Sequence, residues 1–325
     1  MILLTGATGY LGSQIARELI ARGQPFRVFV REPSRLDFNR AQVNCEVEVG
    51  EMEYPPSLER AVAGIDTVIH TAALVKMWVR DRRDFWRVNV EGLKNLFLAA
   101  AHAGVKKVIY TSSFIALGPS SDTKAGEGLE NPGPHRNEYE ATKAQALAWL
   151  RREGFQKYPV IALLPGVIYG PGPRTEGNLV GGMIAQYLAG KFPGVLGSGW
   201  KRWSFAYNAD VVAAHLAACE KGKLGEEYVL GGDNRTLNEF FHVLSEASGV
   251  KRHVRHLPYW SGKLVGAVEI ARARFMGHTP QLTPGVVDIF KHDWVYSSAK
   301  AARDLNYHVT PLEAGLRLTL KTLSD

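Results

Sequence analysis

The chain has 325 residues, 46% of them hydrophobic and 22% charged, an ordinary globular composition with material for a large core. Its formal net charge of +7 favours anionic ligands in general, but Lys and Arg are spread along the chain. The one modest cluster, Lys251–Arg255, comes with no nucleic-acid-binding motif, so nucleic acid is not expected as a partner. Two cysteines, Cys45 and Cys219, exclude a disulfide framework or a clustered metal site, and no run approaches the roughly 20 apolar residues of a membrane span.

Reduced thiols, and a first apolar run at Ile2–Leu4 too short for a signal peptide, lead us to expect a cytoplasmic protein without metal or integral membrane association. Strands are expected at Met1–Thr5, Phe26–Val30, Glu46–Val49, Thr67–Thr71, Lys107–Tyr110 and Val160–Leu164. Helical patterns lie between them at Tyr10–Ala21, Ser57–Val62, Phe85–Ala103 and Glu138–Glu153. This alternation predicts an α/β doubly wound parallel sheet. Residues 116 to 137, rich in Gly, Pro, Ser and Asp, read as a long loop between two candidate catalytic segments, hence a candidate active-site lid.

After Pro165 the pattern loosens. Helices are expected at about 178–190, 210–220, 236–248, 260–276 and 312–323, with short strands near 204–207 and 227–230. Residues 1–165 are therefore assigned to a dinucleotide-binding domain and 166–325 to a smaller, mixed α/β substrate lobe. Some chain is expected to cross back to the first sheet around 204–222.

Gly6, Gly9 and Gly12, one every third residue, follow the first strand and open the first helix. Glycines there permit a tight turn and close backbone approach, and the helix N-terminus offers free N–H groups to a pyrophosphate. Gly6, Thr8, Gly9, Tyr10, Leu11 and Gly12 are the expected contacts. The second strand ends in Arg31, where an NAD site usually presents an acid to the ribose 2′-hydroxyl. Arg31 and Arg35 suit a 2′-phosphate, which favours NADP(H) and leaves NAD(H) open.

Tyr139 and Lys143, four apart on a predicted helix, share one face. An ammonium beside a phenol lowers the phenol pKa and prepares it for proton transfer. The strand Val108–Ser113 ends in hydroxyls at the C-terminal edge, which faces the ligand crevice in a parallel sheet, so Ser112 or Ser113 can meet a substrate oxygen.

The set TGATGYLG, His70–Ala73, Val88–Gly92, YTSS, Tyr139–Lys143 and Pro165–Gly170 resembles the extended short-chain dehydrogenase/reductases over nearly the whole chain. The resemblance implies a Rossmann-type fold. It implies that Ser113 polarises a carbonyl, Tyr139 is the general acid/base, Lys143 lowers the tyrosine pKa and holds the nicotinamide ribose, and Asn89 supports the relay. It further implies that Thr71, Ala72, Ala73 and Thr111 line the cofactor and that Pro165, Gly166, Val167 and Ile168 close over its nicotinamide end. Gly50-Glu51-Met52 stands where relatives carry Gly-Asp-Leu, so Glu51 and Met52 are the expected adenine contacts.

Sugar-nucleotide members resemble GDGxQxRDFxHVDDV at the position of Gly197–Asp210, and in register Trp203 stands where their diphosphate-binding arginine would be. Tryptophan cannot act as a bidentate phosphate clamp, although Arg202 next door leaves a shifted clamp open. The substrate end is therefore read as apolar, with Val75, Trp78, Phe114, Asn178, Trp200, Trp203 and Phe205 as candidates, about half of the aromatics being core. The wording around His70–Trp78 and Tyr110–Gly118 is similar to farnesol-dehydrogenase-like and dihydroflavonol-reductase-like members, and also to hopanoid-associated sugar epimerases. The expected substrate is a small apolar ketone, aldehyde or secondary or allylic alcohol. The alternative is a nucleotide-sugar epimerase or dehydratase with retained NAD.

Members of this family often dimerise through the two helices at Phe85–Ala103 and Glu138–Glu153. Leu93, Leu96, Phe97, Leu147 and Leu150 extend their apolar surface, so a homodimer is expected unless both helices simply pack on the sheet. The basic, partly apolar stretch Lys251–Met276 is read as a solvated helix over the substrate lobe rather than a membrane contact.

Overall fold

The structure, a computed structural model, describes residues 1–39, 43–276 and 279–324. Twelve strands occur among them: β1 Ile2–Thr5, β2 Phe26–Val30, β3 Cys45–Val49, β4 Thr67–His70, β5 Lys107–Thr111, β6 Val160–Pro165, β7 Val167–Tyr169, β8 Val195–Leu196, β9 Arg202–Tyr207, β10 Glu227–Leu230, β11 Asp233–Thr236 and β12 His256–Leu257. Seven of them form one sheet in the order β10-β6-β5-β4-β1-β2-β3, every pair parallel. The order reverses between β1 and β4, the switch point at which a doubly wound sheet opens its ligand crevice.

Both faces of this sheet are covered, which is why its strands read as nearly continuous apolar runs. Along β5, Val108 and Tyr110 join one core with Leu93, Phe97 and Leu147, while Ile109 joins the other with Leu11, Ile15 and Val211. The side chains alternate because successive Cβ atoms point to opposite faces. Each fully buried aliphatic contributes about 1.5–3 kcal/mol, so the sheet is the rigid base for whatever sits on its C-terminal edge.

The second half returns to this sheet through the helix Asn208–Lys221 and then β10, which pairs with β6 in the register Glu227 to Ala162. A smaller sheet, β11-β9-β7, has β9 antiparallel to β11 and parallel to β7. Sequence periodicity missed β7, β8, β11 and β12, all four residues or fewer and too short for it to register. It also missed the helices Pro284–Ile289 and Ala299–Leu305. Thr283 caps the first of these by accepting from the Val286 N–H, with Pro284 at the first helical position, a start signal carried by only two residues.

The helix expected over Phe85–Ala103 is interrupted. A π turn at Arg87–Glu91 separates Arg83–Trp86 from Gly92–His102, and a second, Leu150–Gly154, ends the helix Glu138–Trp149. A π turn inserts one residue and rotates those after it relative to those before it, a shift that hydrophobic period alone does not reveal. Leu93, Leu96, Phe97, Leu147 and Leu150 are all buried inside the monomer, so these five offer no free dimer face. Among the described residues, no helix is long and apolar enough to cross a membrane.

Candidate active site

The crevice above the switch point is a cavity of about 740 Å3 that runs from the glycine turn to the second half of the chain. At one end, the helix Tyr10–Ala21 starts at Gly9 with no side-chain cap and no acidic residue in its first turn. The N–H groups of Tyr10, Leu11 and Gly12 are thus free of intrahelical partners, and these three residues line the cavity. Gly6 has φ +79°, and a Cβ there would stand 2.6 Å from the Ala72 nitrogen; a Cβ on Gly12 would stand 2.2 Å from the Gly6 carbonyl oxygen. The turn therefore folds back on itself more tightly than any side chain allows, which is the fit a pyrophosphate needs.

Gly6, Thr8, Gly9, Tyr10, Leu11 and Gly12 all line this end, as do Thr71, Ala72, Ala73, Thr111 and Met52. Arg31 and Arg35 line it too, both exposed, at the end of β2 and in the turn Pro33–Arg35 that follows. Glu51 does not. Its backbone is tied to Ser57, its side chain points to solvent, and Gly50 and Glu53 line the wall in its place.

The middle of the cavity holds Ser113, Tyr139 and Lys143. Ser113 follows β5 in extended conformation and its Oγ accepts a hydrogen bond from the Ile115 N–H at 3.4 Å, so it caps a short turn and borders the cavity at once. The helix carrying Tyr139 and Lys143 begins at Asn137, which accepts from the Glu140 N–H. Glu140, fully buried, is held by Arg136 and Asn131 and fixes that first turn.

Burial pushes the Tyr139 phenol up to about 12, with the Ser113 hydroxyl acting the other way. Burial likewise pushes the Lys143 ammonium down to about 7, while its Nζ donates to the Thr111 carbonyl at 3.0 Å. The expected lowering of the tyrosine by the lysine is thus reversed in the protein alone. Both groups lose water, and desolvation is the largest influence on each of them, holding the phenol up and the ammonium down.

Asn89, turned inward by the π turn, lies behind this set and does not line the cavity. Its Oδ1 accepts from the Leu74 N–H at 2.7 Å, and its Nδ2 donates to the Leu74 carbonyl and to Thr142 Oγ1 at 3.2 Å. Asn89 thereby ties the segment after β4 to the tyrosine helix. His70 is buried, shares a 2.7 Å hydrogen bond with Thr5 Oγ1, and is pushed down to about 3 by burial and then by Lys143. It stays neutral beneath the lysine.

At the far end, Pro165, Gly166, Val167 and Ile168 form one wall, and Val75, Phe114 and Trp203 belong to the lining. Trp203, buried, lies on Phe290 with ring centroids 4.6 Å apart, and its Nε1 has no hydrogen-bond partner among the described residues. Val286, Ile289 and Phe290 complete this end. The sequence reading missed them; the apolar spacing 286, 289, 290 behind Thr283-Pro284 was the available signal.

Several expected pocket residues lie elsewhere. Trp78 is outside the lining. Asn178 is occupied as a helix cap, accepting from the Gly181 N–H and donating to the Pro173 carbonyl. Trp200 is exposed, and Phe205 stacks on Phe240 inside the core. Arg202 is no shifted clamp, because it donates to the Ser121 carbonyl and its backbone N–H to Asp293.

The 116–137 loop is no lid either. Apart from Ile115 before it and Asn137 at its end, it borders none of the cavity. It is fastened instead to the second half, where Ser120 bridges Trp294, the Ala125 carbonyl accepts from Ser297, and Glu127 accepts from the Val229 N–H. The rim is formed by Arg174–Gly177, with Lys76 and Glu176 facing each other across it at 3.6 Å.

Residues 2–231 match the NAD dependent epimerase/dehydratase family. The chain is 33% identical to sterol demethylase protein B of Methylococcus capsulatus over 253 residues, which cover 77% of this chain and 75% of that protein. It is 30% identical to a 3 beta-hydroxysteroid dehydrogenase/Delta 5-->4-isomerase of Mycobacterium tuberculosis over 94% of this chain and 85% of that one. Among solved structures, gox2253 superposes with a TM-score of 0.79 and 32% identity over 100% of this chain and 98% of its own. The chain belongs to the NAD dependent epimerase/dehydratase family, within the extended short-chain dehydrogenase/reductases, and is an NAD(P)-dependent oxidoreductase.

Proposed function

We propose that the protein reversibly transfers a hydride between NADP(H) and an apolar ketone, aldehyde or secondary or allylic alcohol. The observation that carries this reading is the Ser113–Tyr139–Lys143 set, with Ser113 and Lys143 buried and Tyr139 half-buried on the cavity wall, open on one side to the glycine turn and on the other to a pocket closed by Trp203 and Phe290. When bound, the nicotinamide supplies or accepts the hydride at carbon. Tyr139, pushed up to about 12, holds its proton at neutral pH and donates it to the carbonyl oxygen during reduction. Ser113 donates a hydrogen bond to the same oxygen. Lys143, anchored on the Thr111 carbonyl, holds the nicotinamide ribose.

Arg31 and Arg35, exposed beside the adenosine end, support NADP(H) over NAD(H). The relatives named for a 3 beta-hydroxysteroid and a sterol support a hydroxyl or ketone on a large apolar skeleton. NADPH- and NADH-linked reduction of a panel of steroid ketones, prenyl aldehydes, flavanones and aryl ketones tests the reading. We expect turnover of at least one class with NADPH preferred; no turnover of any would overturn it.

A second reading, a nucleotide-sugar epimerase with retained NAD, is favoured by Arg174 and Lys76, two basic side chains that line the cavity at its rim. Tightly held NAD(H) in the purified protein together with UDP-sugar binding would establish it.

A further inference from the structure

The helix Tyr259–Met276 presents a surface that the catalytic reading leaves unused. Gly262, Gly266 and Ala273 form its buried side, and a Cβ on Gly266 would stand 2.9 Å from the Pro284 nitrogen, so small residues seat it closely against the helix Pro284–Ile289. Opposite them, at spacings of four, four and seven, stand Trp260, Leu264, Val268 and Phe275, which are 69%, 60%, 50% and 87% exposed. A stripe of large apolar side chains in water, including a tryptophan and a phenylalanine, is the reverse of what a solvated helix carries.

The charge around the stripe is strongly one-sided. Residues 251–276 contain six Lys or Arg and a single acid, Glu269, a net +5 of the chain's +7. Lys251, Arg252 and Arg255 are exposed just before the helix, and Arg272 and Arg274 are exposed at its far end. Lys263 shares the single carboxylate of Asp288 with Lys291, at 2.9 and 2.7 Å, which leaves that group positive as well. A second copy docked on this face through a two-fold axis would bring these cations onto one another.

We infer that the helix Tyr259–Met276 lies in the surface of an anionic bilayer, with Trp260, Leu264, Val268 and Phe275 among the acyl chains and the basic residues among the headgroups. At 18 residues it extends about 27 Å. With no membrane-crossing helix among the described residues, the protein rests on the bilayer rather than spanning it. The helix on which it is seated carries Val286 and Ile289 into the cavity wall, so the docked face backs directly onto the substrate end. The inference stands on this surface and does not need the proposed substrate class.

Flotation of the full chain with vesicles tests it. We expect binding to phosphatidylcholine vesicles containing phosphatidylglycerol, at least about tenfold weaker binding to phosphatidylcholine alone, and release by high salt. The triple variant Trp260→Ser, Leu264→Ser and Phe275→Ser should lose at least about tenfold in vesicle binding while keeping its melting temperature and NADPH binding, since the three side chains are exposed. Equal binding by the variant, or none by the parent chain to either vesicle, would overturn it. So would a parent dimer that the variant dissociates, which would assign the stripe to a second copy. Failure of the proposed reduction would leave these measurements unchanged.

Discussion

The two ends of the cavity are built differently. The cofactor end is made of backbone: Gly6, Gly9 and Gly12 between β1 and the first helix, with Ala72 packed against the turn, all contributed by the C-terminal edge of one sheet. The substrate end is made of side chains from segments far apart in sequence, Phe114, Trp203, Val286 and Phe290 among them, with Trp203 stacked on Phe290. Between the ends sits a set whose chemistry depends on exclusion of water. A backbone site tolerates no substitution, whereas a side-chain site is retuned by single changes, and the expected effects of mutation divide accordingly.

The largest effect is expected at the boundary. Lys143→Met should reduce turnover by about 1,000-fold. It should also raise stability at pH 7, because the buried ammonium is pushed down to about 7 from its ordinary 10.5. Between those values the unfolded chain binds the extra proton, so this group makes the parent protein more stable as pH rises, and the variant should lack that slope. Thermal melts across this range check it; an unchanged slope would mean that the lysine is solvated.

At the cofactor end, Gly12→Ala should weaken NADPH binding by about 100-fold, equivalent to ~2.8 kcal/mol, because the added Cβ collides with the Gly6 carbonyl oxygen. Titration of NADPH fluorescence reads this directly, and full affinity would show that the turn is not the binding site. Replacing Arg31 and Arg35 by Ser should raise KM for NADPH about tenfold and leave KM for NADH nearly unchanged. A loss shared equally by both cofactors would remove the argument for NADP(H).

An effect no larger than that of the arginines belongs to the substrate end. Trp203→Ala opens the stack on Phe290 and should lower kcat/KM for a large ketone by about tenfold with the cofactor KM unaltered. A larger fall in cofactor affinity than in substrate affinity would erase the distinction between the two ends.

The same contrast explains what could be read in advance. The glycine turn, the alternating strands and the order of Ser113, Tyr139 and Lys143 were legible because each is a local pattern with a fixed period or spacing. The π turn at Arg87–Glu91 was not, since one inserted residue leaves the apolar count intact while it turns Asn89 inward. The 116–137 loop misled because its polar composition suits a rim, yet several of its hydrogen bonds, at Ser120, Ala125, Glu127 and Gly128, are made with residues more than 90 positions further on. Trp78 and Asn178 failed for similar reasons: composition gave their type, and only packing decides whether a side chain faces the cavity or a helix end.

The direct test of the central claim, that Tyr139 delivers the proton in an apolar reduction, is rapid mixing of the protein loaded with NADPH against a ketone it turns over. The parent chain should consume NADPH and form the alcohol in equal amounts. Tyr139→Phe should bind NADPH with the same affinity and react at least about 100-fold more slowly. A Tyr139→Phe variant that reduces the ketone at the parent rate would contradict the account.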